Sequence, residues 1–266
     1  MEKITSRNNE KIKAAVKLVA SAEERRAQGL FVLEGARLCK DAFLSGVSMK
    51  TIFVTPDALK KYAAELDFLS GINAECFEIT NEVAGKISDA ATPQGIFCVC
   101  KTLDKKSNID KIKHNGCAEP KKYIALDRIQ IPGNLGAVCR TAEALGLDGV
   151  IVGGGCDIYN PKALRASMGA LLRIPVFVAD DLAAFVRDCT RSGMRSYAAV
   201  PDADALPVTK ADFSGCSLCV VGNEGAGVSA AVAAACSQAI TIPMAGRAES
   251  LNAAGAAAVI IWEMVR

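Results

Sequence analysis

The chain has 266 residues, 51% of them hydrophobic, and a formal net charge of +2. That length suffices for one large domain or two ordinary ones, and the apolar content supplies a sizeable core, which excludes global disorder. No stretch reaches the about eighteen uninterrupted apolar residues of a membrane span, and the opening MEKITSRNNEKIK has no apolar run of the signal-peptide kind.

Taken in chain order, Ile12, Ala15, Val16 and Val19 share one helical face, and Gly29 is the expected stop. Residues 1–50 hold ten Lys or Arg against six acids, which fits either a solvated helix face or a phosphate-contacting surface. LFVLEG then reads as a strand, ARLCKDAFLSG as a helix and TIFVT as a strand. PDALKKYAAEL opens a helix on Pro56. CFEIT, NEVAGKIS and GIFCVCKTL continue the strand–helix–strand alternation and close a first unit near residue 103. DKKSNIDKIKHNGCAEPKK, polar and charged with Gly116 and Pro120, reads as a linker. From Tyr123 a second unit alternates strands (YIALD, GVIVGG, IPVFVA, RSYAAV, SLCVVG, AITIP) with helices (NLGAVCRTAEALG, PKALRASMGAL, DLAAFVRDCTRSG, VSAAVAAAC, LNAAGAAAVIIWEMV). Alternation throughout predicts an α/β fold with parallel sheets.

Several chemistries are excluded by what the chain lacks. The one histidine, His114, lies in the expected linker, which removes a histidine base and a His-containing metal site. Cys216 and Cys219 form a CxxC without a second pair, so no zinc site is expected. The eleven cysteines, irregularly spaced and without a secretory signal, read as reduced, buried thiols of a cytoplasmic protein. There is no GxxxxGK[ST] phosphate loop.

Three segments carry candidate chemistry. In DRIQIPGNLGAVCRTAEALG a strand ends at Asp127, Pro132-Gly133 is expected to turn, and Asn134 is expected to cap the following helix. Arg140 is expected on the inner side of that Ala- and Gly-rich helix with room at Gly136, either meeting an anion or paired with a carboxylate. In VVGNEGAGVS a buried strand enters a loop with Gly222, Gly225 and Gly227, where backbone approaches a ligand or takes positive φ, and Glu224 places a carboxylate inside it. In ITIPMAGRAESLNAAGAAAVIIWEM a strand ends at Pro243, a loop carries Arg247, Glu249 and Ser250, and a small-residue helix starts near Leu251-Asn252 with Ser250 as a possible cap.

In order and wording these segments resemble the three motifs of the SpoU (TrmH-like) family of RNA 2′-O-ribose methyltransferases, members of the SPOUT class. Asn134, Gly136 and Arg140-Thr141-Ala142 stand at the spacing of the first motif. Gly222-Asn223-Glu224-Gly225 with Gly227 match the second, and Ile242-Pro243-Met244 followed by Glu249-Ser250-Leu251-Asn252 match the third. NPKALRASMGALLRIPV shares the likeness at Pro161, Arg165, Ser167 and Gly169. SRNNEKIK, FVLEGARLCKDA and TPQGIFCV look like the L30e-like substrate-binding domain that precedes the catalytic domain in such enzymes.

The resemblance implies an L30e-like α/β RNA-binding domain over 1–103, a linker over 104–120, and a SPOUT methyltransferase domain over 121–266, with a parallel sheet and a trefoil knot. It implies S-adenosylmethionine as cofactor, without metal, held at Gly222, Asn223, Glu224, Gly225, Ile242, Met244, Ser250 and Leu251. The implied catalytic set is Arg140, Asn134, Glu224, Ser250 and Asn252. A guanidinium stays protonated, so Arg140 is expected to stabilise the developing alkoxide rather than act as a base. Asn134, Ser250 and Asn252 would position hydroxyl and ribose, and Glu224 would orient Arg140 or a sugar hydroxyl. The implied partners are RNA, ribosomal RNA ahead of tRNA, and a second copy of the chain docked through the C-terminal domain.

Two rival functions fare worse. A dinucleotide-binding oxidoreductase is suggested by VIVGGGCDIYN, but residues 153–155 do not form GxGxxG before a helix and Asp157 follows too soon for a ribose acid. A non-catalytic RNA-binding protein of L30e-like type predicts a degraded donor loop or a missing Arg140, and both are intact.

Overall fold

The computed structural model describes residues 1–103, 109, 112 and 120–266. The chain packs into two compact units, Met1–Leu103 with Tyr159–Leu172, and Asp104–Ile158 with Arg173–Arg266. Most of the expected linker, His114 included, lies outside the described residues. Ile109 and Ile112 belong to the core of the second unit.

The first unit runs β1 (Glu2–Ile4), α1 (Glu10–Ala20), α2 (Ala22–Gln28), β2 (Leu30–Glu34), α3 (Ala36–Leu44), β3 (Met49–Val54), α4 (Pro56–Lys61), β4 (Glu75–Ile79), α5 (Asn81–Ile87) and β5 (Ile96–Lys101). Asn9, Ser21, Thr55 and Thr80 cap their helices with side-chain oxygens. Ser21 does so from an extended conformation, which breaks the single helix expected up to Gly29 into α1 and α2. Gly29 ends α2 at φ +61°, in the left-handed region where glycine costs least. Buried Arg25 donates from Nη1 to the carbonyls of Leu18 and Val19, at 2.6 and 3.0 Å, and so closes the C-terminal end of α1.

The sheet order is β1-β4-β3-β5-β2. The sheet departs from the all-parallel expectation, because β5 runs antiparallel to both β2 and β3. Helix length does not decide this, since α4 has six residues and the strands on either side of it, β3 and β4, are parallel; the direction of β5 is set by the strand end at which the chain re-enters the sheet. Accordingly β5 starts at the end where β3 finishes, with the Thr55 amide donating to the Gly95 carbonyl at 2.8 Å.

The second unit contains β6 (Lys122–Asp127), α6 (Pro132–Ala144) and β7 (Gly149–Gly153). After α7 (Pro161–Ala166) and α8 (Ala170–Arg173) it continues with β8 (Val176–Val178), α9 (Leu182–Arg191), β9 (Arg195–Ala199), β10 (Leu206–Pro207), β11 (Ser217–Val221), α10 (Ala230–Ala235), β12 (Gln238–Thr241) and α11 (Ala253–Val265). Its seven strands, in the order β10-β12-β9-β11-β6-β7-β8, are parallel at every pairing. Strands β7 and β11 are buried along their whole length, as strands covered on both faces must be. The chain leaves β6 toward β7 and β8 on one side, while β11 and β9 lie on the other. Strand order thus reverses at β6, and such a switch opens a crevice beyond the carboxyl ends of the strands.

The segment 159–172 returns to the first unit instead of joining the second. Tyr159 stacks on Phe31 with ring centroids 4.5 Å apart, and its hydroxyl accepts from the Leu103 amide and donates to the Leu103 carbonyl. Arg165 grips Asp89 with two nitrogens, at 2.5 and 3.0 Å, and stands 3.7 Å from Glu34, which also accepts from the Ser88 hydroxyl. Burial pushes the Glu34 carboxyl above its ordinary range, whereas the Arg165 hydrogen bonds hold Asp89 below its own.

No helix of the described residues is long and apolar enough to cross a membrane. Among the described residues nine cysteines are free, but Cys216 is disulfide-bonded, which departs from the expectation of reduced thiols at that position.

Candidate active site

Three loops leave the carboxyl ends of β6, β11 and β12. Asp127, 2% exposed, ends β6. One of its oxygens accepts from the Ser229 amide at 2.6 Å and the other from Arg128 Nε at 3.1 Å. Arg128 has φ +56°, a conformation that costs a residue with a side chain roughly 1–3 kcal/mol. Both of its neighbours in space hold it there: its amide donates to the Gly153 carbonyl at 3.1 Å, and its carbonyl accepts from Asn223 Nδ2 at 2.9 Å. The Ile129 carbonyl accepts from the Cys156 amide at 2.7 Å. Gly155, at φ +84°, passes so close that a Cβ would lie 2.2 Å from that oxygen, so only glycine fits.

Helix α6 begins earlier than expected. Pro132 and Gly133 are helical rather than a turn, and Asn134 sits inside the first turn rather than capping it. The cap arrives from the second loop. Glu224 accepts from the amides of Gln130 and Ile131, each at 3.0 Å, and from Asn134 Nδ2 at 2.8 Å. A carboxylate there satisfies donors that a helix start leaves open and faces the positive end of the helix dipole. Burial pushes the Glu224 carboxyl up, but the Gln130 amide, the Asn134 side chain and the Ile131 amide together hold it below its ordinary value. Glu224 therefore orients Asn134, and the expected contact with Arg140 is absent among the described residues.

The second loop folds back on itself. Asn223 and Gly227 exchange two backbone hydrogen bonds, at 3.0 and 2.9 Å, and Asn223 Oδ1 accepts from the amides of Gly225 and Ala226. A Cβ on Gly222 would lie 2.0 Å from the Gly227 carbonyl carbon, so this glycine is required by the fold-back. Positive φ occurs at Gly227, at +67°.

The third loop is open. Residues 243–252 are exposed, including the apolar side chains of Met244 and Leu251, while Ile242 is half-buried. Residues 243–251 make no hydrogen bond among the described residues. Asn252, not Ser250, caps α11, because it directly precedes the first helical residue and accepts from the Ala254 amide at 3.0 Å.

Arg140 departs most from expectation. The inner face of α6 is formed by Leu135, Val138, Cys139 and Ala142, and Arg140 stands on the exposed face. There its side chain makes no hydrogen bond or ion pair among the described residues. A hydrogen bond thus joins Asn134 to Glu224, with Gly222, Asn223 and Gly225 in the same loop as Glu224. Ile242, Met244, Ser250 and Leu251 are not bonded to them, while α11, headed by Asn252, packs along α6. The sequence reading overlooked Asp127 and Arg128; the available signal was an acid ending the apolar run YIAL.

The model of the SpoU rRNA Methylase family matches residues 121–262, and that of the MRM3-like substrate binding domain matches residues 9–98. The chain is similar to the 23S rRNA (guanosine(2553)-2'-O)-methyltransferase RlmP of Bacillus subtilis, at 33% identity over 99% of both proteins. It also resembles the 23S rRNA (uridine(2479)-2'-O)-methyltransferase of Streptomyces viridochromogenes, at 32% identity over 99% of this chain and 92% of that one. The crystal structure of the SpoU methyltransferase AviRb from the same organism, in complex with AdoMet, superimposes with a TM-score of 0.84 at 29% identity over 97% of each chain. The AdoMet-bound rRNA methyltransferase of Sinorhizobium meliloti gives 0.84 at 28% identity, over 99% of this chain and 97% of that one. With its second unit matched by the family model and its whole length by these relatives, the chain belongs to the SpoU rRNA methylase family.

Proposed function

We propose that the chain transfers a methyl group from S-adenosylmethionine to a ribose 2′-hydroxyl of RNA, with large-subunit ribosomal RNA as the substrate. The observation that carries this reading is the pairing of a locked head of α6, held by Glu224, with an uncommitted Arg140 on the same helix. Relatives aligned over the whole chain carry the same activity in their names.

The third loop suits the cofactor. Unpaired backbone groups over 243–251 and the bared side chains of Met244 and Leu251 offer the polar edge contacts and apolar face that an adenine requires. Gly222, Asn223, Glu224, Gly225, Ile242 and Ser250 complete the set that would hold it. Bound S-adenosylmethionine supplies an electrophilic methyl on a sulfonium. Asn134 gives its amide nitrogen to Glu224, which leaves its Oδ1 to accept the hydrogen of the 2′-hydroxyl and fix that group's direction. Arg140 would supply positive charge beside the oxygen as its proton passes to solvent water and the oxygen takes the methyl group, the donor leaving as the neutral thioether. Ser250 and the free nitrogen of Asn252 steady the ribose. Tritium should pass from labelled S-adenosylmethionine to 23S rRNA prepared from cells lacking the gene, and not to rRNA from cells that have it. RNA binding without transfer would return the chain to the non-catalytic class.

Residues 1–103 are proposed to select the RNA, a reading supported by the substrate-binding family model. Of the ten cations in residues 1–50, Lys3, Arg7, Lys11, Lys13 and Lys40 are spent on acids and Arg25 is buried. Lys17, Arg26, Arg37 and Lys50 are exposed without an ion pair among the described residues. Replacing these four together by Gln should weaken rRNA binding about tenfold or more at fixed salt and leave cofactor affinity unchanged. Unaltered rRNA affinity would remove this surface from substrate selection.

A homodimer is proposed through α11. Gly255, Val259 and Trp262 form one stripe along it, with Trp262 56% exposed and open space beside Gly255. The full chain should sediment as a dimer at micromolar concentration and Trp262→Asp as a monomer; a monomeric wild type would overturn the assignment. A cytoplasmic location is supported by a ribosomal RNA substrate and by the nine free thiols among the described residues, with disulfide-bonded Cys216 as the exception.

A further inference from the structure

We propose that Arg128 grips a phosphodiester of the RNA strand at the mouth of the crevice. The inference rests on the reading of RNA as the substrate. Arg128 stands at the switch point of the parallel sheet, directly after β6, where the crevice beyond the strand ends opens. Its backbone is held in the left-handed region by the Gly153 carbonyl and the Asn223 side chain, so the side chain leaves the loop in one fixed direction. The stem passes over Gly154, where an added Cβ would come to 3.9 Å of Arg128 Cγ.

The guanidinium is then pinned from behind. Nε alone meets Asp127, whose carboxylate is 3% exposed and whose other oxygen is taken by the Ser229 amide. An arginine serving only to neutralise a buried acid is expected to turn its two-pronged end inward and form a paired contact, as Arg165 does with Asp89. Arg128 presents its flank to the acid, and its side chain remains 49% exposed. Both terminal nitrogens have no partner among the described residues. This leaves a planar fork, oriented in advance and facing solvent, whose geometry matches two oxygens of a phosphodiester. The contact carries no base identity, so its role is to set where the strand lies relative to the catalytic loops.

Binding of a labelled 23S rRNA transcript to the full-length protein, measured from low to physiological salt, tests the proposal. Arg128→Gly relieves the left-handed backbone while removing the charge, and Arg128→Gln removes the charge while keeping a donor for Asp127. Each variant should lose about tenfold or more in RNA affinity. The slope of log affinity against log salt should fall by roughly 0.7–1, the mark of one lost phosphate contact. Cofactor affinity and thermal stability should stay near wild type in at least one of them. An unchanged salt slope in either folded variant would overturn the proposal, as would weakened RNA binding that merely tracks lost stability and lost cofactor affinity. Wild-type protein that binds the transcript with the expected slope but transfers no methyl group would instead sink the catalytic reading and leave this contact standing.

Discussion

Arg140→Ala is expected to slow the chemical step by roughly a hundredfold or more, the scale of losing a group that stabilises developing charge. The structure makes this substitution unusually clean. The Arg140 side chain is exposed and makes no hydrogen bond or ion pair among the described residues, so its removal orphans no partner and should leave the melting temperature within a degree or so. S-adenosylmethionine affinity should also hold, because the residues proposed to bind it lie on other loops. Arg140→Lys should recover only part of the rate, since a point ammonium cannot reproduce a planar fork. Single-turnover methylation at saturating RNA isolates the step. Near wild-type turnover in Arg140→Ala would take the central residue out of the proposed mechanism.

Glu224→Ala should be the most damaging change to the architecture of the site. It strips acceptors from the Gln130 and Ile131 amides and from Asn134 Nδ2 at once. The expected cost is about 2 kcal/mol, between that of a lost helix cap and of a half-buried donor set left unpaired, or a fall in melting temperature of several degrees. Activity should fall with it, because Asn134 loses the contact that directs its carbonyl. Asn134→Ala combined with Glu224→Ala should cost less than the sum of the two, as for groups sharing one network.

The acid dependence has a definite sign. Glu224 titrates below its ordinary value of 4.5 in the folded chain, so its contribution is complete above that value and is lost as the pH falls through the lowered folded one. Comparing melting temperatures of wild type and Glu224→Gln from pH 7 downward checks this. The gap between them should persist through pH 5 and close only in more acid solution. A gap that closes nearer neutrality would contradict the depressed carboxyl.

The parallel core of the second unit was legible because each strand is a short apolar run bounded by turn residues, and such runs survive any tertiary context. The motif loops were legible for a related reason: glycines and a lone carboxylate stand out against buried strands. Direction and contact were not legible. The reversed β5 depends on the strand end at which the chain re-enters the sheet, which periodicity does not encode. The cap on α6 comes from a residue ninety positions away, so local capping rules pointed to Asn134. Arg140 was assigned inward from the room at Gly136 one turn before it and the Ala- and Gly-rich composition, whereas the stripe of Leu135, Val138, Cys139 and Ala142 marks the buried face and leaves Arg140 outside it. Likewise, nothing in residues 159–172 announces that they belong to the first unit; only the three-dimensional partners of Tyr159 and Arg165 do.

That last feature bears on how the protein is made. When residue 103 has left the ribosome, the first unit still lacks the ring that covers Phe31 and the guanidinium that stands against Glu34 and Asp89. Those groups are synthesised roughly 3–14 s later, at ordinary rates of translation. During that interval the nascent sheet carries a carboxyl whose counter-charge does not yet exist. The amino-terminal unit should therefore remain protease-sensitive on stalled ribosomes until residue 172 has emerged, and its maturation is timed by the synthesis of the catalytic half.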